Sequence, residues 1–365
     1  MARDEASAGR EPGAWLWVGK PLRPPFRDGS TVLAASFARS LPAGIDVAYF
    51  GDPARPLGPG HTVVDVPPMG YAPTLRDKAR ALAVLLAPAH RHRSVHFFFT
   101  PNPVTSRVAG ALRRLARRRR FVQSVTSADR IEAHAPLLAG LDRVVVLSDH
   151  TRGRLLETGL LDEERVVRIH PGVDLPEAPP PLPERPTVLY AGDLDPTVGD
   201  RIEALARALP SDVRLVVAAR PKGPKDAEVR GRLRTRLADL HEAGRFDLLA
   251  EVDDMEALFA AASLVVHLAD HVARKVDLPL VLLEALARGR GVVTTRAGPL
   301  PEIFAGADAP PGAAVAGSDI VEFVVAALAD GRHVAWSAAA VPHARARFDA
   351  RRLGPRLSEV YAAIG

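Results

Sequence analysis

The chain has 365 residues and a mass of 39.0 kDa, more than one hydrophobic core usually supports, so two domains are expected. Its 48 lysines and arginines against 43 aspartates and glutamates leave a formal charge of +5 and a pI of about 9.8, which favours anionic partners such as nucleotides, phosphates or acidic lipid. There is no cysteine, which excludes disulfides, thiolate metal sites and cysteine nucleophiles and fits a reducing cytoplasm.

The opening residues MARDEASAGREPG lack the apolar stretch of a signal peptide, and no uncharged apolar run reaches the ~18 residues of a membrane span, so a soluble, cytoplasmic protein is expected. Strands are predicted at 14–19 (AWLWVG), 46–51 (DVAYFG), 94–99 (SVHFFF), 120–125 (RFVQSV) and 143–148 (RVVVLS). A second set follows at 186–192 (PTVLYAG), 213–219 (VRLVVAA), 246–252 (FDLLAEV), 263–268 (SLVVHL) and 291–295 (GVVTT). Helix-period segments separate most of them, the pattern of doubly wound parallel α/β sheets, so the fold class is α/β with two Rossmann-like domains. Between the sets, residues 170–186 contain seven prolines, which disfavour a helix and a central strand alike, and this stretch reads as a linker. The end, ARARFDARRLGPRLSEVYAAIG, reads as terminal helices with a break at Gly354 and Pro355.

Ligands of open α/β sheets bind beyond the carboxyl ends of strands, so a site in a cleft between two such domains is expected. The segment KVDLPLVLLEALARG, residues 275–289, is the one with chemistry in it. Asp277 suits an N-cap, Pro279 the first turn and Gly289 the position past the end, while Leu280, Leu283 and Ala287 define a core-facing stripe. Glu284 lies about one turn in and leans towards the helix start, where free amides and the helix dipole attract phosphate. A carboxylate beside an anion site has hydroxyl groups, such as those of a ribose, as its natural partner.

These residues, together with VVVLSDHTRGRLLETGL, VVRIHPGVDL, TVLYAGDL, DDMEALFAAASLVVHLA and PLVLLEALARGRGVVTTRAGPLPEI in this order, resemble the GT-B glycosyltransferases, specifically family four, over nearly the whole chain. The resemblance implies a domain at 1–172 for the acceptor, a linker at 173–186, a donor domain at 187–345 and helices at 346–365 that cross back to the first domain. It implies transfer of a sugar from a nucleotide-sugar donor to an acceptor hydroxyl with retention at the anomeric carbon. The nucleotide sugar is then a co-substrate, and no metal or redox cofactor is expected. Glu284 matches the glutamate that binds the donor's ribose; Leu280, Val281 and Leu282 match the turn whose amides receive sugar and diphosphate; Gly192 follows the first strand of the donor domain, and Val252 to Met255 match a segment near the base. The stretch 298–303 (GPLPEI) matches a segment close to the same site.

The chain departs from the family at three places. The first glutamate of the two-glutamate motif falls on Val276. The Arg and Lys that hold the leaving diphosphate fall on Asp193 and Val198, with Arg220, Lys222 and Lys275 as replacement cations, since stabilising the leaving group is the main chemical task. The first-domain histidine falls on Thr126, which cannot act as a base, leaving Asp129 as the nearby general-base candidate. A catalytically degenerate binding or partner subunit is therefore an alternative reading, and another GT-B reaction such as epimerisation or phosphorolysis a third.

Other signals have plain structural counterparts. Gly29, in RDGST after the first strand, permits close approach of phosphate, or Asp28 simply caps a helix. Residues 113–121 hold six arginines, read either as a solvated helix end or as peripheral docking on anionic membrane at the inner face, with a lipid-linked or saccharide acceptor; no nucleic-acid motif accompanies them. Asp193 and Asp195 form a DxD that is discounted as a metal site. His96 and His170 read as packing residues, and Asn102 and Thr105 as acceptor contacts or a helix start.

Overall fold

A computed structural model describes residues 14–364 apart from 27, 68–73, 88, 91–92, 116–117, 222 and 273–275. The chain divides into two compact units. The first comprises the described residues within Met1–Pro171, Arg274–Val276 and Ala350–Gly365; the second those within Gly172–Ala273 and Asp277–Asp349.

In the first unit β1 (Trp15–Leu22) is followed by α1 (Gly29–Ser40), β2 (Val47–Gly51), β3 (Thr62–Asp65), α2 (Leu75–Leu86), β4 (Ser94–Phe98), α3 (Pro103–Leu115), β5 (Phe121–Val125), α4 (Ile131–Leu138), β6 (Arg143–Val146), α5 (Asp149–Glu157) and β7 (Val166–Arg168). The strands form one parallel sheet in the order β3-β2-β1-β4-β5-β6-β7. Both faces are buried, which is why the strands read as continuous apolar runs. Trp15, Trp17, Val47 and Tyr49 enter a core on one face, while Leu16, Val18, Ala48 and Phe50 enter another on the opposite face. Strands β3 and β7 were not among the predicted ones. Each is an edge strand of four or three residues, too short to show a period.

The second unit runs β8 (Thr187–Ala191), α6 (Pro196–Ala208), β9 (Arg214–Ala218), α7 (Pro224–Arg236), α8 (Ala238–Glu242), β10 (Phe246–Leu249), α9 (Met255–Ala260), β11 (Leu264–His267), α10 (Leu280–Ala287), β12 (Gly291–Thr295), β13 (Gly312–Val315), α11 (Ile320–Ala329) and α12 (Arg332–Arg347). Its six parallel strands lie in the order β10-β9-β8-β11-β12-β13. The edge strand β13, GAAV, also escapes sequence reading, having one large apolar side chain. Alternate residues Val188, Tyr190, Leu215, Val217, Leu264 and Val266 pack under α6, α7 and α11. Helix α10 packs on β11, β12 and α12.

The proline-rich stretch read as a linker is anchored within the second unit. The fully buried Arg290 guanidinium donates to the carbonyls of Pro180 (3.0 Å), Pro181 (2.8 Å) and Phe259 (2.8 Å). The last helix, α13 (Leu353–Ala362), belongs to the first unit. Gly354 and Pro355 lie in its first turn, so the break falls at 348–352 instead. Only glycine fits at 354, because a Cβ there would stand 2.0 Å from the Ser40 carbonyl oxygen at the end of α1. Tyr361 closes the contact: its ring stacks on Trp15 at 3.7 Å, its hydroxyl accepts from Trp17 Nε1 (2.8 Å) and lies 2.6 Å from His96 Nδ1. With the tyrosine oxygen already accepting, its proton points to Nδ1, so His96 carries its own proton on Nε2 and donates to Ser124 Oγ at 2.9 Å. Burial pushes the His96 pKa well below the usual histidine value, and the ring is a neutral packing residue, as expected.

Candidate functional site

All six strands of the second unit point the same way, so the residues that follow them share one edge. Gly192 follows β8, Arg220 follows β9, Val252 follows β10, and the turn into α10 follows β11. The described sequence-predicted residues of this unit thus gather at one edge; Lys222 and Lys275 lie outside the described residues. Gly192 is held by its amide, which donates to the Ala218 carbonyl at 3.1 Å. A side chain there would collide with the Tyr190 hydroxyl, 2.8 Å from the Cβ position. That buried phenol, its pKa pushed up, donates to the Asp193 carbonyl and fixes the loop. Beneath the neighbouring loop, the buried Arg230 donates to the Ala219 (2.5 Å) and Leu249 (3.2 Å) carbonyls at the ends of β9 and β10. Arg220 itself is exposed, and Val252 is half-buried.

Helix α10 has the composition of a buried helix, LVLLEALA, and its leucines and alanines are indeed buried. The expected capping by Asp277 does not occur. The helix begins later, with Pro279 at the N-cap and no side-chain cap, and Asp277 is fully buried before it. The Leu282 amide is taken by the Pro279 carbonyl at 2.9 Å, whereas the Leu280 and Val281 amides donate to no group among the described residues. Uncapped amides at a helix start carry partial positive charge and attract anions. At the other end Gly289, with φ +70°, takes the left-handed conformation that closes a helix.

Glu284 is half-buried, and among the described residues no donor hydrogen-bonds its carboxylate. Burial raises its pKa, Arg288 one turn further lowers it, and Asp174 and Glu256 raise it again. Arg288 is itself divided between the Glu256 carboxylate (3.1 Å), the Glu284 carbonyl (3.3 Å) and the face of Phe259. A desolvated acid with no donor among the described residues, about one helical turn from uncapped amides, has the chemistry to accept hydrogen bonds from a ligand.

The positions where the family carries its diphosphate cations are occupied otherwise. Val198 is buried in the core face of α6, and that helix is capped by Asp195 Oδ1 on the Val198 amide at 2.9 Å. One turn on, Arg201 donates to the Leu268 carbonyl (2.6 Å) and Asp270 Oδ2 (2.7 Å), and the pair leaves no room for a side chain at Gly317. Sequence reasoning passed over Arg201, Arg230 and Arg288. Only Arg288 had a signal, its spacing of four residues from Glu284 on one helix face.

In the first unit Gly29 opens α1, and a Cβ there would stand 2.9 Å from Val276 Cγ2, so the side chain of Val276 packs against the bare glycine. Asp28 caps the helix, accepting from the Thr31 amide (3.1 Å) and Ser30 Oγ (2.6 Å) and pairing with Lys20 (3.2 Å). Burial pushes Asp28 up, and these partners outweigh it to hold it below the usual range, a standing negative charge at that turn. Thr126 is buried just after β5, and Asp129, half-buried, sits in the turn before α4 with its amide on Ser127 Oγ. Half of the arginine run is structural: Arg113 pairs with Asp142 (2.8 Å), Arg119 binds the Arg93 carbonyl (2.7 Å) and Arg120 the Ile364 carbonyl (2.7 Å). Thr105 lies in α3, whose start follows Asn102.

Residues 185–330 match the family described as glycosyl transferases group 1. The chain is 32% identical over 220 residues, 56% of its length, to a D-inositol 3-phosphate glycosyltransferase of Mycolicibacterium paratuberculosis, and the match spans 48% of that relative, about half of it. Among solved structures it resembles Alr3699/HepE of Anabaena in complex with UDP and glucose, with a TM-score of 0.71, 18% identity and coverage of 96% of this chain and 100% of that one. It also resembles sucrose-phosphate synthase of Thermosynechococcus elongatus, with a TM-score of 0.72, 18% identity and coverage of 95% and 98%. These likenesses establish the two-domain GT-B fold.

Proposed function

Because its residues 185–330 match the glycosyl transferases group 1 family, we propose that this chain transfers a sugar from a nucleotide-sugar donor to an acceptor hydroxyl. The observation that carries the reading is the Glu284 carboxylate, desolvated, without a donor among the described residues, and set behind the uncapped amides of Leu280 and Val281. Ribose hydroxyls donate to the carboxylate, and the diphosphate takes the amides and the helix dipole. Gly192 leaves the loop after β8 open to the donor, and Val252 borders the base. The anomeric C–O bond to phosphate breaks, the acceptor oxygen bonds that carbon on the same face, and the acceptor's proton passes to the departing phosphate oxygen. No base is then required of Thr126 or Asp129, which are the first-unit positions to test for acceptor contact. Arg220, Lys222 and Lys275 are the candidate cations for the leaving group. The reading uses no metal.

The Anabaena relative was solved with UDP and glucose, so UDP-glucose heads the donor panel. Nucleotides and nucleotide sugars at millimolar concentration are expected to raise the melting temperature, by RT ln(1 + [L]/Kd) in free energy. No stabilisation by any of them defeats the donor reading. A second reading, a donor-binding subunit without catalysis, is favoured by Val198 lying in the core and Asp193 standing where a cation is usual. Slow release of free nucleotide from the stabilising donor separates the two: an active transferase hydrolyses it, and a binding subunit leaves it intact.

A further inference from the structure

At the carboxyl edge of the second sheet, the turn after β11 is tied down residue by residue. The Leu268 carbonyl accepts from Arg201 Nη1 at 2.6 Å, the Ala269 carbonyl from Thr295 Oγ1 at 2.6 Å, and the Asp270 carboxylate from Arg201 Nη2 at 2.7 Å. His271 Nε2 then lies 3.6 Å from Asp195 Oδ2, while Asp195 Oδ1 caps α6 on the Val198 amide. Turns are ordinarily the mobile parts of an α/β domain, and backbone that is fixed before a ligand arrives need not be ordered by it. Strands β8 and β11 are neighbours with Val266 opposite Tyr190, so residues 268–271 run beside the loop that begins at Gly192.

Three acids, Asp193, Asp195 and Asp270, follow these two strands, and each bare carboxylate raises the cost of bringing a diphosphate to this edge. Arg201 offsets one of them and binds the backbone beside it in the same step. Only a planar fork holds a carbonyl and a carboxylate at once; a lysine ammonium is a single point of charge. Helical side chains lean towards the N-terminus, so from the second turn of α6 the guanidinium reaches back to the end of β11. The pair packs against the bare backbone of Gly317, two residues past β13, where a Cβ would overlap both Asp270 Oδ1 and Arg201 Nη2. Gly317 is not among the glycines with positive φ, so its missing side chain answers to the ion pair rather than to the backbone.

We propose that Arg201 is a positioning residue of the donor site: it holds the turn 268–271 at a fixed separation from the loop after β8 and neutralises Asp270, so that the edge accepts a diphosphate. The inference rests on the donor reading given above and names a residue which that reading does not use. Arg201 touches no reacting atom in this role and acts through the turn that it binds.

Titration calorimetry of the full chain with UDP and UMP, or with the same pair of guanine or adenine nucleotides where these bind instead, tests this alongside melting curves. Arg201→Gln is expected to lose about 10-fold in diphosphate affinity and less than about 3-fold in monophosphate affinity, because the monophosphate lacks the second phosphate. Arg201→Lys, which keeps the charge and not the fork, is expected to recover part of that loss. Gly317→Ala alters no charge and displaces only the ends of two flexible side chains. It is expected to weaken the diphosphate in the same direction and to add nothing in the Arg201→Gln background. Should Arg201→Gln fail to fold, Gly317→Ala carries the same comparison. A folded variant that binds the diphosphate as the parent does overturns the proposal and leaves the donor reading standing. Equal losses for diphosphate and monophosphate overturn it too, since they mark general loss of structure. A parent that binds none of these nucleotides defeats the donor reading, and this inference with it.

Discussion

Glu284 couples stability and ligand binding in opposite directions. Its folded pKa lies above the ordinary 4.5, so between the two values the folded chain holds more proton than the unfolded one. Stability therefore falls as pH rises through that window, and the cost of ionising the buried acid is fully present above the folded pKa. Glu284→Gln is expected to raise the melting temperature of the ligand-free protein at neutral pH and to flatten that part of its pH dependence. The same change should weaken donor binding by about 10-fold or more, since hydrogen bonds to a charged group contribute ~1.5–3 kcal/mol. Calorimetric melting from acid to neutral pH and a titration with the stabilising donor measure both; a variant less stable at neutral pH with unaltered affinity contradicts the assignment. The carboxylate was legible in sequence because a lone acid in an apolar helix is a local anomaly. Its full surroundings were not, since Glu256 and Asp174 come from segments distant in sequence, and only Arg288 stands on the same helix.

At the scale of elements, α13 is held to the sheet by a chain of polar contacts that runs from Trp17 through Tyr361 and His96 to Ser124. Tyr361→Phe keeps the stack on Trp15 but leaves the Trp17 N–H and His96 Nδ1 buried without partners. Each such loss costs about 1–3 kcal/mol, so a clear fall in the urea midpoint is expected, with donor-induced stabilisation of the second unit unchanged. A midpoint equal to the parent's would show that water or rearrangement replaces the hydroxyl. The central strands were readable as elements because both faces of a parallel sheet are buried and their residues are apolar throughout. Edge strands β3, β7 and β13 were not, being three or four residues long and only partly covered. The start of α10 was misplaced because Asp277 and Pro279 both suit a helix beginning. Full burial of Asp277 takes its side chain away from the cap.

At the scale of the whole molecule, the chain leaves the second unit after α12 and completes the first with its last residues. Leu353, Leu357, Val360 and Tyr361 are core members there. A chain ended at residue 349 is expected to lose folded first unit, seen as a lost cooperative transition or insolubility; a truncated protein melting like the parent would show the helix to be dispensable. Sequence alone determined the α/β class, the two sets of strands and the acid in α10, because each is written in local order: runs of apolar residues, turn residues and one misplaced charge. The packing of Val276 against Gly29, the internal use of half the arginine run and the return of α13 were decided only by tertiary structure. Each depends on which distant segment comes to lie alongside, and a side chain's role as core, anchor or surface is set by that neighbour rather than by its own residue type.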